Sequence, residues 1–260
     1  MRTRLLGKGN RLTGSLAKKA LIVMGVLAVL LAGAIAWWMG GAYRADVSAL
    51  AAVADEDGAA DGVTVRELSD GRIAFVSDDP VAGMVFYPGA RVQPEAYAPL
   101  LTQLAREGVT CVLVKPPLDF ALLDIDAADG VREQFPEIGT WLLGGHSLGG
   151  VAACEYLAQH EADFDGVVLL ASYPNSDLTD YAGFSLQLVG SEDGVVNRDS
   201  YDGARPNLPD DAHELVIEGG NHAQFGNYGE QSGDGTASIS GTQQQEQTVV
   251  AVLDLLDAAA

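Results

Sequence analysis

The sequence predicts an α/β fold, a mostly parallel eight-stranded sheet flanked by helices, on three observations. From Val63 onward, apolar runs of strand length alternate with segments of helical period, the pattern of strands joined by crossovers. A glycine-flanked serine, Gly145-His146-Ser147-Leu148-Gly149, stands directly between one such strand and one such helix. Composition, at 48% hydrophobic and 20% charged residues, supplies enough apolar surface for a sizeable core.

The predicted strands are Thr64 to Leu68, Arg72 to Ser77, Val81 to Tyr87, Thr110 to Val114, Trp141 to Gly144, Gly166 to Ala171, Ser185 to Val189 and Glu214 to Ile217, the first two as a hairpin. Between them, Glu95 to Glu107 places Ala96, Leu100, Leu101, Leu104 and Ala105 on one helical face, and Val151 to Gln159 behaves alike. Gln244 to Ala258 aligns Val249, Val252, Leu253 and Leu256 and closes the domain as a helix, with its glutamine-rich lead-in read as loop. Cys111 and Cys154 fall at apolar positions of a strand and a helix, without metal-ligand spacing, and read as buried free thiols.

Charge divides the chain. Six cations precede residue 20 and no acid precedes Asp46, whereas beyond residue 40 nine basic residues face all 36 acids, a net of −27. That field excludes nucleic acid as a partner. Residues 20–39 carry no charge, follow Lys18 and Lys19 and end on Trp37 and Trp38, so 1–19 reads as a basic cytoplasmic tail and 20–39 as a single transmembrane signal anchor. Cleavage at Ala34-Ile35-Ala36 is the alternative, giving a secreted protein; either way the rest lies on the extracellular face. Residues 40–62, rich in Ala, Gly and acids, read as a juxtamembrane spacer with a short helix near Ala45 to Ala54, and 63–260 as the folded domain.

The chemistry follows from the serine. A sharp strand-to-helix turn needs small neighbours and projects the Ser147 hydroxyl at the N-terminus of a helix, where the N–H of Leu148 faces an oxyanion. A serine needs a base, and the base an orienting carboxylate; in a sheet of this kind both ride on loops after later strands. Asp193, at the glycine-flanked turn after the seventh strand, is the predicted acid, with Glu192, Asp177 and Asp180 as alternatives. His222, just beyond the eighth strand, is the predicted base; His213 and His160 lie at the wrong ends of their elements, and His146 reads as a wall residue. The second oxyanion donor is expected in Pro88-Gly89-Ala90-Arg91, from the N–H of Ala90 or else that of Arg91.

GGHSLGG, GSEDGVV and IEGGNHAQFGNYG resemble the nucleophile, acid and histidine motifs of the α/β-hydrolase superfamily, in particular its small, capless, dienelactone-hydrolase-like members, over residues 63 to 258. YPGARV resembles the oxyanion loop, with Tyr87-Pro88 where many members carry a histidine, and Ser147 stands where dienelactone hydrolases have cysteine. The resemblance implies a serine hydrolase cleaving a carboxylic ester of a small-molecule or lipid-like acyl substrate, with no metal or organic cofactor. Thioester or amide hydrolysis, acyl transfer, and an inactive envelope-binding domain are the alternatives. Only Ser172 to Phe184 separates the sixth and seventh strands, so no cap is expected over the site.

Overall fold

The computed structural model describes residues 20, 21, 23–25, 27, 29, 30, 33, 35, 38, 40–54 and 62–259. The chain divides into two units, one ending at Ala42 and one running from Tyr43 to Ala260. Of the first unit, the predicted span at 20–39 lies partly outside the described residues; Leu21, Val23, Met24, Leu27, Val29 and Leu30 within it are helical and exposed. No helix among the described residues is long and apolar enough to cross a membrane.

The second unit is built on eight strands: β1 (Val63–Glu67), β2 (Ile73–Ser77), β3 (Ala82–Tyr87), β4 (Val109–Leu113), β5 (Trp141–His146), β6 (Gly166–Leu170), β7 (Phe184–Gly190) and β8 (His213–Ile217). They form one sheet in the order β1-β2-β4-β3-β5-β6-β7-β8. The β1–β2 hairpin is antiparallel and β2 pairs antiparallel with β4; every later pairing is parallel. β3 to β7 are covered on both faces, which explains why they read as continuous apolar runs, whereas β8 at the edge of the sheet is exposed up to Ile217. Along β3, Met84 and Phe86 enter one core, while Val85 and Tyr87 enter the other. Each such large side chain gains about 2 kcal/mol from burial.

Among the described residues five α-helices accompany the sheet: α1 (Val47–Ala54), α2 (Ala98–Arg106), α3 (Leu148–Leu157), α4 (Arg198–Gly203) and α5 (Gly241–Ala259). α2 buries Leu100, Leu101, Leu104 and Ala105, the face its spacing predicts. α5 begins at Gly241, so the glutamine-rich lead-in is helix rather than loop. Its inward face starts with Gln244, Gln245 and Thr248, polar side chains that are buried because they bond to neighbouring backbone and side chains. Both cysteines are buried free thiols, and burial pushes both up from the ordinary thiol range.

The spacer expected over 40–62 is corrected in part. Residues 43–54 belong to the folded unit, and 55–61 lie outside the described residues. Asp46 caps α1 by accepting from Ala49 N–H at 2.9 Å, and the small side chains of Ala45 and Ala49 let this segment enter the core. Tyr43 adds a parallel bridge to Val92, its N–H donating to Arg91 O (2.6 Å) and its carbonyl accepting from Gln93 N–H (2.9 Å). An alanine-rich composition conceals this docking, because alanines fit close approaches without forming a conspicuous apolar stripe.

Candidate active site

β5 ends at His146 and α3 begins at Leu148, leaving Ser147 alone to turn the chain. Its φ of 53° and ψ of −127° lie where L-residues rarely go, a conformation that costs on the order of 1–3 kcal/mol. Surrounding bonds hold it there: Ser147 N–H donates to Leu170 O at 2.9 Å, and Ser172 Oγ donates to Ser147 O at 2.7 Å. Glycine is required on both sides. A Cβ at Gly145 would stand 2.5 Å from the Gly149 carbonyl carbon, and one at Gly149 would stand 2.3 Å from Tyr87 O. Ser147 occupies the N-cap position but makes no side-chain capping bond, so capping does not account for the residue.

Asp193 and His222 meet. His222 Nδ1 lies 2.9 Å from Asp193 Oδ2, and both side chains are buried. The other carboxylate oxygen accepts from Val195 N–H (2.9 Å) and Val196 N–H (2.8 Å), which fixes the direction of the acid. Burial alone would push this carboxyl up, but the His222 hydrogen bond and charge together with those two N–H groups outweigh it and hold Asp193 below the ordinary carboxylate range. The stability this adds is therefore complete above the unfolded-state value of about 3.9 and is lost as pH falls through the lower folded value. Urea unfolding of Asp193→Asn beside the unchanged protein checks it: this contribution to the stability gap is level from pH 7 to about pH 5 and shrinks only as pH falls below about 4, whereas a gap that stays constant at acid pH would contradict the assignment.

Two of the alternative acids are engaged elsewhere: Glu192 accepts from Ser191 Oγ, and Asp177 from Thr179; Asp180 does not line the cavity of Ser147. His160 bonds Tyr156 O at the far end of α3, and His213 opens β8 at the edge opposite the serine.

Ser147 and His222 line one cavity of about 160 Å³, together with Leu148, Val151, Ala171, Val195 and Val196. His222 Nε2 is buried and has no hydrogen-bond partner among the described residues. With Asp193 accepting at Nδ1, the neutral ring carries its proton there and presents the Nε2 lone pair. On the β3 side, Arg91 N–H is committed to Asp119 O at 2.7 Å, which removes the alternative to Ala90 as a donor. The N–H groups of Ala90 and of Leu148, the first residue of α3, make no hydrogen bond among the described residues.

Several supporting residues escaped the sequence reading. Tyr97 OH accepts from Gly89 N–H (3.0 Å) and lies 2.7 Å from His146 Nδ1, tying the loop before Ala90 to the strand that carries Ser147. Since the phenol accepts from Gly89, it donates to Nδ1, which places the His146 proton on Nε2, a buried atom without a hydrogen-bond partner among the described residues. Burial, and then the neighbouring His222, hold His146 well below the ordinary histidine range, so it stays neutral against the His222 ring, 4.5 Å between centroids. Gln244, from α5, accepts from Asn221 N–H (2.9 Å) and donates to Asn221 O (2.8 Å), bracing the residue before His222. Tyr97 and Gln244 occupy ordinary helical positions, and no local pattern marks them.

Known proteins agree with this architecture. No curated protein matches the chain significantly. Among solved structures, Est1E from Butyrivibrio proteoclasticus with ferulic acid bound is similar at a TM-score of 0.55 and 11% identity, over 76% of this chain and 97% of that one. A predicted CIB-like hydrolase from Thermoplasma acidophilum is similar at 0.54 and 16%, over 75% and 100%, and TT1662 from Thermus thermophilus at 0.53 and 17%, over 75% and 97%. At these identities the likeness concerns the fold alone. A family model described as the alpha/beta hydrolase family matches residues 83–246, from β3 into α5, a stretch that holds every site residue named above, and the chain belongs to that family.

Proposed function

We propose that the protein is a serine hydrolase that cleaves a carboxylic ester through an acyl-enzyme on Ser147. The observation that carries this reading is a buried Asp193–His222 pair, its Nε2 unpartnered, whose histidine lines the same cavity as a strained, uncapped serine. As Oγ attacks the ester carbonyl, His222 Nε2 takes its proton, and Asp193 remains ionised and holds the imidazolium. The N–H groups of Leu148 and Ala90 receive the carbonyl oxygen as it becomes negative. Collapse breaks the bond to the alcohol, which leaves with the proton from Nε2; water, deprotonated by the same nitrogen, then releases the acid.

Among the described residues no carboxylate, lysine or arginine lines the cavity, whose apolar side chains Leu148, Val151, Val195 and Val196 are joined by the polar Ser172, Tyr173 and Asn197, so it suits an uncharged part of a small or lipid-like acyl substrate. Est1E, whose structure holds ferulic acid, is a neighbour in fold with which this reading is compatible. A fluorophosphonate probe tests the proposal. Covalent addition on Ser147 that disappears in Ser147→Ala is expected, and a folded protein that never labels would refute it.

Residues 20–39 would anchor this domain to the cell membrane on its extracellular side, a reading supported by their uncharged run and the cations before it. Carbonate-washed membranes should retain the full chain, and protease added to intact cells should digest the domain. Release of an intact full-length chain by carbonate would overturn the anchor.

A further inference from the structure

We propose that Asp234 is a positioning residue that locks the loop of Asp193 to the loop of His222 and so sets where the imidazole stands; its effect on rate rests on the serine-hydrolase reading. The two loops leave neighbouring strands, β7 and β8, and are joined at their bases, where Ser191 N–H donates to Ile217 O (3.0 Å) and Glu192 N–H to Gly220 O (2.8 Å); farther out the Asp193–His222 contact joins only the tips of side chains. Asp234 joins their backbones. Its Oδ1 accepts from Gly194 N–H (3.1 Å), His222 N–H (3.2 Å) and its neighbour Gly235 N–H (2.8 Å), while Oδ2 accepts from Ala223 N–H (2.8 Å). One carboxylate thus binds the residue after the acid, the histidine itself and the residue after the histidine.

The segment carrying Asp234 is wedged against the acid loop. A Cβ at Gly194 would stand 2.6 Å from Gly233 O, and one at Gly235 would stand 1.9 Å from Glu192 O. A second tie comes from Asn221, whose Nδ2 donates to Gly235 O at 2.8 Å. Asp234 does not line the cavity of Ser147, so it acts through the loops rather than on a substrate. Without this acceptor, three N–H groups from two loops would turn towards water and the loops could separate, carrying Nε2 away from the serine. Displacements near 1 Å can cost about 100-fold in rate.

The test compares the full chain with Asp234→Ala and Asp234→Asn by two readouts. One is the downfield proton signal of His222 Nδ1–H, identified by its loss in His222→Ala; the other is the rate of fluorophosphonate labelling of Ser147. Asp234→Ala is expected to broaden or lose the signal and to slow labelling about 10- to 100-fold. On p-nitrophenyl acetate its kcat, referred to the folded fraction measured by circular dichroism because unfolding also lowers apparent kcat at constant KM, should fall while KM stays within about threefold. Asp234→Asn retains one carbonyl oxygen but offers no second acceptor, and should fall between the two. Should Asp234→Ala fail to fold, Asp234→Asn decides alone. Unchanged signal and unchanged labelling in the folded variants overturn the proposal. If the unsubstituted chain itself never labels, the hydrolase reading fails, and the Nδ1–H signal still judges Asp234.

Discussion

On the proposed mechanism Ser147→Ala is expected to lower kcat on p-nitrophenyl acetate by roughly 10⁴- to 10⁶-fold, His222→Ala to do nearly the same, and the double substitution to lose little more. The reason is that serine and histidine act as one device. Without the base, the hydroxyl keeps its proton; without the hydroxyl, the base has nothing to activate but water. The residual rate comes from groups that neither substitution touches, the N–H donors at Ala90 and Leu148 and the cavity wall. Thermal melts accompany the assay, because the elbow is held by bonds to the Ser147 backbone and the side chain makes no capping bond, so Ser147→Ala remains folded. A folded Ser147→Ala that hydrolyses within tenfold of the unsubstituted chain would show that the elbow is not the nucleophile.

Gly149→Ala is expected to destabilise the protein by about 3 kcal/mol and, on the proposed mechanism, to lower kcat about 100-fold. The added methyl would stand 2.3 Å from Tyr87 O and 2.4 Å from Pro88 O. Both obstacles are backbone at the end of a central strand, so neither yields by a rotamer change. Relief requires α3 to move away from β3, which separates Leu148 N–H from the loop of Ala90 and spoils two donors that must converge on one oxygen. Gly203→Ala is the control. Nothing lies within 4 Å of its Cβ position, and the same substitution there changes stability by less than about 1 kcal/mol and leaves kcat unaltered. Urea unfolding and steady-state hydrolysis of the two variants separate crowding at the elbow from the general cost of replacing glycine. Equal behaviour would mean that the helix and strand tolerate a wider gap than their contact suggests.

The strands were legible because burial on both faces leaves its mark in the chain itself: Val81 to Tyr87 and Gly166 to Ala171 each differ from the observed strands by one residue. The meeting of Asp193 and His222 was legible for a related reason, since chain order along a parallel sheet determines which loops share an edge. Where alanine and glutamine dominate, composition misled. Ala45 and Ala49 are core residues within a segment that reads as spacer, and the lead-in that reads as loop before Gln244 is the first turn of α5, which makes Gln244 a buried brace.

The sequence by itself determined the sheet, the elbow and the order in which acid and histidine follow the serine, because periodicity and turn chemistry act between near neighbours in the chain. Only the tertiary structure decided that Arg91 N–H is already taken, that Tyr97 and Gln244 brace the two loops beside the serine and histidine, and that Asp234 spans the acid and histidine loops. Those are hydrogen bonds between segments remote in sequence. A donor and an acceptor of this kind leave no periodic trace, and what selects them is the need of each buried N–H for a partner once the packed sheet has brought the loops together.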